Sequence, residues 1–297
     1  MKVSNSMMQS AQKCEKRFEF EHIYQIRPKS YPEAMERGIG GHVFMEEFFK
    51  RMALGGTYEE CVEAVNLVLP QYIGHPAQNV YRHVLAWGAY VFQQKWKVVS
   101  VEISHIVELR TTIIRNGARE PIEFAFTADT VFEWTEGPRK GSQFMVDYKF
   151  TGQYWTDKEL AVYQQLPKYV LYTNQFFPED KPIRHAALVM LNTRSAAGAT
   201  GNNLFLMKWL NVKKEKLAGV ETENLMLAQQ TAELRAGLED GSRVAIRSVD
   251  TYGCKMCFFA EDICPAQLEG RDITKMIERN YIHNTYFDDN YADEPES

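Results

Sequence analysis

The chain has 297 residues, 45% hydrophobic and 25% charged, an ordinary globular composition with enough apolar side chain for a real core. It contains no apolar run long enough to be a transmembrane helix, and MKVSNSMMQSAQKCEKRF lacks the apolar stretch of a secretory signal, so the expectation is a cytoplasmic protein without membrane contact. The net charge of −5 departs from the basic balance of most nucleic-acid binders, although metal-holding carboxylates subtract charge and a local basic groove can sit on an acidic protein.

The first predicted element is a helix over residues 6–21, with Ser4 or Ser6 as its N-cap. A second helix covers 33–53 and is interrupted by Gly38, Gly40 and Gly41. Thr57-Tyr58-Glu59-Glu60 has the form of a capping box and opens a third. Apolar residues at helical spacing predict a fourth over 77–96. The pattern then changes to Val, Ile and Thr in alternation, giving strands over 96–114, 123–134 and 143–150. Glu136-Gly137-Pro138-Arg139-Lys140-Gly141-Ser142 between the last two is a strong turn signal, so they form an antiparallel hairpin. A helix over 158–173, a strand over 185–191, a small-residue loop over 195–203, a strand over 204–210 and a helix over 221–238 follow. The acidic, apolar-poor segment 286–297 is expected to be a disordered tail. The fold class is α/β: helices first, then a mixed central sheet flanked by helices, then a C-terminal cap. The expected organisation is a helical region at 1–95, a core at 96–212, a cap at 213–285 and the tail.

The strand Phe144-Met145-Val146-Asp147-Tyr148-Lys149-Phe150 carries the most chemistry. Side chains alternate faces, so Asp147 and Lys149 share one face while Val146 and Tyr148 take the other. An acid and a base on a strand otherwise built for burial are expensive. The preceding strand has one acid, Asp129, among apolar and small residues, and hairpin pairing can bring it beside Asp147. Two carboxylates and a lysine suit metal-assisted phosphodiester hydrolysis with Mg2+ or Mn2+, although a plain Asp–Lys ion pair at a sheet edge would read the same. Upstream, Gly38-Ile39-Gly40-Gly41-His42 leads to Glu46, placing His42 and Glu46 on one helix face. Downstream, Gln165 and Tyr169 stand four apart on the next helix.

The order Gly-x-x-x-His, Asp, Asp-x-Lys, Gln-x-x-x-Tyr resembles the RecB-type branch of the PD-(D/E)XK nuclease superfamily, over about residues 4–264. The resemblance implies a restriction-endonuclease-like core. It implies His42, Asp129 and Asp147 as metal ligands with the Tyr148 carbonyl, Lys149 as the catalytic lysine, and Gln165 with Tyr169 as residues that support the site and contact DNA. Glu102 is a further acidic candidate. Two positions depart from the pattern: Phe126 stands where the family usually has glycine, and Pro167 lies inside the Gln-x-x-x-Tyr helix.

There are five cysteines. An odd number in a cytosolic chain argues against a disulfide framework, while Cys254, Cys257 and Cys264 are clustered as a metal site would have them. Three thiolates are incomplete, and Cys14 and Cys61 are the available fourths. The cluster-bearing subset of the family, similar to AddB-type subunits and CRISPR-associated exonucleases, has one N-terminal and three C-terminal cysteines. That resemblance implies a [4Fe-4S] cluster on Cys14, Cys254, Cys257 and Cys264, with a structural Zn2+ as the alternative; Cys61 then reads as a buried small hydrophobe. Tyr154 and Trp155 are candidates for stacking unpaired bases, Tyr163 and Tyr172 read as core, and Lys158, Lys168 and Arg194 are candidate phosphate contacts. The absence of G-x-x-x-x-G-K-[ST] leaves no ATPase motif. The whole implies a DNA exonuclease acting on single-stranded ends, in a bacterial cell or phage-infected host, with recombination, repair or replication proteins as partners. The alternatives are a non-cleaving DNA- or partner-binding module and a zinc-stapled protein of other function.

Overall fold

The computed structural model describes residues 1–115, 117–194, 203–210, 212–248, 254–255 and 257–283. The sequence-predicted tail and residues 195–202 of the small-residue loop lie outside these. In chain order the first elements are β1 (Lys2–Ser4), α1 (Asn5–Lys13), α2 (Glu15–Phe18), β2 (Ile26–Pro28), α3 (Glu33–Ala53), α4 (Tyr58–Val68) and α5 (Tyr81–Gln93). Then come β3 (Trp96–Arg115), β4 (Ala118–Trp134), β5 (Gln143–Thr151), α6 (Asp157–Val162), α7 (Gln165–Thr173), β6 (Ile183–Asn192) and β7 (Phe205–Leu210). The last are α8 (Lys214–Glu239), α9 (Ile263–Leu268), α10 (Thr274–Asn280) and β8 (Tyr281–His283). Among the described residues no helix is long and apolar enough to cross a membrane.

The chain forms two compact units: Met1–Tyr31 with Glu108–Ala125 and Leu225–Ser297, and Pro32–Val107 with Phe126–Asn224. In the second, β5 runs antiparallel to β4, parallel to β6 through the α6–α7 crossover, and β6 antiparallel to β7, so the sheet is mixed, as expected. Gln143 to Tyr148 are all buried, the mark of a strand covered on both faces. On one face Phe144, Val146 and Tyr148 pack with Phe44, Phe48 and Phe49 of α3 and Val84, Trp87 and Val91 of α5. Each such side chain contributes about 1.5–3 kcal/mol by burial. On the other face Leu188 and Met190 of β6 pack with Leu160, Trp155 and Tyr163.

In the first unit β1 pairs in parallel with β4 at Val3↔Phe124, and β2 pairs antiparallel with β8 at Arg27↔Ile282. Phe20, Ile26, Phe259, Ile263 and Tyr281 form one small core, and Met7, Phe18 and Leu234 another. Ser4 is the N-cap of α1, accepting from the Met7 N–H at 3.3 Å.

Three expectations need correction. The helix expected over 6–21 breaks at Cys14, whose backbone is extended, φ −166° and ψ 114°; beyond the break the Lys16 N–H bonds the Ile246 carbonyl at 3.2 Å. The helix expected over 158–173 is two helices. Thr156 opens the first with a capping box, and the backbone turns extended at Tyr163, φ −69° and ψ 123°. Pro167 then falls in the first turn of α7, where its missing N–H costs nothing. The glycines of 33–53 do not interrupt α3. They let it approach its neighbours: a Cβ on Gly41 would lie 2.3 Å from the Phe150 ring, and one on Gly40 would lie 2.3 Å from Ala77.

That contact predicts opposite effects within one helix. Gly41→Ala destabilises the protein by about 1–3 kcal/mol through overpacking, although alanine is the better helix former. Gly38→Ala, with nothing within 4 Å of the added carbon, stabilises by up to about 1 kcal/mol. Urea unfolding of the two variants checks the sign of each.

Candidate active site

The second unit gathers His42, Glu102, Asp129, Asp147, Lys149, Gln165 and Tyr169 into one network. Asp129 is buried, and its Oδ2 accepts the Tyr148 N–H at 2.7 Å. His42 Nδ1, presented by α3, is 3.8 Å from Asp129 Oδ2 and 3.6 Å from Glu102 Oε1. Lys149 Nζ lies 2.8 Å from Asp147 Oδ2 and donates at 3.4 Å to Gln165 Oε1. The Gln165 amide donates to the Tyr169 hydroxyl at 2.9 Å. Asp147 and Lys149 share a face, while the Tyr148 ring stacks against Phe49 on the other, 6.0 Å between centroids and 4° from parallel.

Two features were not visible in the sequence. Tyr163, which reads as core, donates its hydroxyl to Asp147 Oδ2 at 3.0 Å, and its ring lies 5.8 Å from the Lys149 ammonium. Its extended position between α6 and α7 is what aims it there. Glu102 has φ 46°, a left-handed backbone costing a non-glycine residue about 1–2 kcal/mol, and its carboxylate faces the imidazole.

Other candidates fall elsewhere. Glu46 pairs with Lys50 at 2.6 Å. Lys168 is buried, and burial pulls its ammonium below the usual value, with Glu223 opposing; it is not the surface cation expected. Tyr172 is buried with its hydroxyl accepting from Asn224 at 3.0 Å, as its reading as core requires. Lys158 and Arg194 are exposed, and Arg194 lies against Gly152. Phe126, at the position of the family's glycine, stacks on the Tyr169 ring, 5.1 Å between centroids and 20° from parallel.

Electrostatics set the protonation states. Burial pushes the Asp129 carboxyl up to about 7; His42 opposes this, while Asp147 and Glu102 add to it. Burial alone would lower the His42 imidazole, but Asp129 and Glu102 outweigh it and lift it to about 9. Burial likewise opposes the Lys149 charge, yet Asp147 and Asp129 hold the ammonium above its ordinary value. Three acids thus face one imidazole and one ammonium. One donor atom each from His42, Glu102 and Asp129 lie within 4.8 Å of one another. This hard nitrogen–oxygen set, with negative charge in excess, fits a divalent cation such as Mg2+ or Mn2+.

The sequence matches the family model of the PD-(D/E)XK nuclease superfamily over residues 2–265. The chain belongs to that superfamily, whose members are typically metal-dependent nucleases, and membership implies DNA as the substrate class. The mixed sheet flanked by helices is consistent with its fold. No curated protein matches the sequence.

Asp129 and His42 both hold a proton more tightly in the folded chain than their ordinary values allow unfolded. The metal-free protein therefore loses stability as pH rises, over about 4 to 7 for Asp129 and 6.5 to 9 for His42. A bound cation competes with those protons, so Mn2+ raises the melting temperature more at pH 8 than at pH 5. Asp129→Asn flattens the acidic part of the profile; a melting temperature equally responsive to Mn2+ at both pH values counts against the assignment.

Proposed function

We propose that this chain is a metal-dependent deoxyribonuclease of the RecB-type branch, an exonuclease acting on single-stranded DNA ends in recombination, repair or replication. The observation that carries the reading is the convergence of His42, Asp129, Asp147, Lys149 and Gln165 in one site of ion pairs and hydrogen bonds. His42, Asp129, Asp147 and the Tyr148 carbonyl would hold Mg2+ or Mn2+, with Glu102 beside them. A cation there supplies charge neutralisation at the scissile phosphate and a more acidic attacking water. Lys149 is the residue that meets the phosphate: its ammonium stays charged and stabilises negative charge as it develops on oxygen. Asp147 and Gln165 fix that ammonium from two sides, and Tyr163 fixes Asp147. Tyr169, stacked on Phe126, holds the Gln165 amide with its oxygen toward Lys149.

The second part of the reading is a [4Fe-4S] cluster on Cys14, Cys254, Cys257 and Cys264. The first unit supports it. The Ser248 N–H points at Cys14 Sγ at 3.4 Å, and Cys254 Sγ lies 4.0 Å from the Ser248 carbonyl. Burial raises the Cys264 thiol, Arg247 opposes, and Cys14 and Cys254 add to the rise; Cys257 is raised by burial and, more weakly, by Cys14. Cys14 is thus close enough to act on both Cys257 and Cys264, and Cys254 on Cys264, and thiols gathered in this way suit a group that takes them as thiolates. Cys61 is buried in the core of the second unit.

Wild-type protein with Mn2+ or Mg2+ is expected to degrade labelled linear single-stranded DNA and spare circular strands. Asp147→Ala and Lys149→Ala each reduce the rate on the order of a thousandfold. A wild type as inert as its variants would favour a binding module, and loss of circular strands would make it an endonuclease. Anaerobically purified protein is expected to be brown, with iron and acid-labile sulfide in equal amounts, and Cys14→Ser to lose both. A colourless, zinc-containing protein would overturn the cluster.

A further inference from the structure

At the turn end of β4 and β5, on the sheet face opposite Asp147 and Lys149, lies an aromatic and basic surface that the cutting chemistry does not use. Trp209 of β7 is 46% exposed, a large apolar ring left in water. It stacks on Trp134 at the end of β4, 5.7 Å between centroids and 24° from parallel. His185 of β6 meets the Trp134 ring edge-on at 5.2 Å. The Arg139 guanidinium, from the turn, lies 5.3 Å from the Trp134 ring centroid and 5.8 Å from that of Trp209. Arg139, Lys140 and Arg184 are all exposed. The flanking carboxylates are each engaged by a lysine, Glu133 by Lys181 at 3.3 Å and Glu136 by Lys95 at 3.6 Å.

The geometry points to a second binding site, for the backbone and bases of single-stranded nucleic acid. The reading rests on the nuclease function proposed above and extends it to the part of the strand away from the cut. Two ingredients carry it. Indole faces stack bases without regard to sequence, and guanidinium and ammonium groups neutralise phosphates. On a chain of net charge −5, an exposed guanidinium over two indoles, with Arg184 acting with it on His185 beside them, selects a polyanion with flat aromatic groups. From Phe144, which packs 4.2 Å from Trp134 between ring centroids, to Asp147 is about 10 Å along β5. A strand held at both places would bend over the end of the sheet, anchored while its terminus is cut. The patch adds no chemistry; it lengthens the footprint.

The test measures binding of fluorescein-labelled short and long oligothymidylates in EDTA, where nothing is cut, for wild type, Trp209→Ala and the double variant Arg139→Ala/Arg184→Ala. The long oligomer is expected to quench tryptophan emission in the wild type and to bind about tenfold more weakly to Trp209→Ala. The double variant is expected to show a shallower dependence of affinity on salt. Binding of the short oligomer and kcat at saturating long strand stay as in wild type, while KM for the long strand rises. Because these residues are on the surface, circular dichroism should show all variants folded, and Trp209→Phe should restore most of the affinity. Unchanged affinity and salt dependence in both variants would overturn the site and leave the surface to a protein partner. A wild type that binds through Trp209 but cuts nothing would instead sink the nuclease reading and leave the binding site standing.

Discussion

The Asp129 carboxylate accepts the backbone N–H of Tyr148 at 2.7 Å while buried beside a second acid, Asp147. The paired register of β4 and β5 runs from Glu133↔Gln143 to Thr130↔Val146; at the next step a side chain takes the place of a backbone carbonyl. A carboxylate used in this way fixes where the two strands stand relative to each other. It also commits a negative charge to a place with little water, a cost of several kcal/mol unless cations gather around it. His42 and Lys149 answer that cost, while Asp147 and Glu102 add to it and leave an excess of negative charge that suits a divalent ion. The site's charged groups are therefore consequences of one buried hydrogen bond as much as of one another.

The rest of the unit serves the strand that carries this bond. Alternation along β5 sends Phe144, Val146 and Tyr148 into the aromatic core under α3 and α5, and Asp147 and Lys149 to the opposite face. Tyr148 is anchored by its ring on one side and by its amide on the other. A shift of one residue in β5 would put charged groups into the core and rings into the site, so core packing and site geometry protect the same register. Gly41 extends the arrangement to α3, because only a residue without a side chain lets that helix lie against Phe150 and present His42.

Much of this was legible in the sequence, for identifiable reasons. Strands of period two around a Gly-Pro turn announced the hairpin, and the spacing of Asp147 and Lys149 put them on one face without further information. Thr57 announced its helix through a capping box that is present with both bonds made. What was hidden depends on tertiary contacts that override local preference. Glu102 has no glycine or asparagine character to announce a left-handed backbone. The helical pattern through Lys158–Thr173 is real on both sides of Tyr163, and only the fold decides to break it. Cys14 sits in a sequence that would continue a helix, yet ends one because the Ile246–Ser248 segment bonds beyond it. The glycines of α3 were visible, but their meaning was inverted: they mark close approach.

The break at Tyr163 has a consequence of its own. Residues two apart in a continuous helix point about 200° from each other, so Tyr163 and Gln165 would face opposite ways if α6 ran into α7. With the chain extended at Tyr163, one reaches Asp147 and the other Lys149, themselves two apart on β5. A two-residue step in one segment is thus matched to a two-residue step in another. A single-residue insertion at this joint would leave both helices intact and still separate the acid and the base from the partners that hold them.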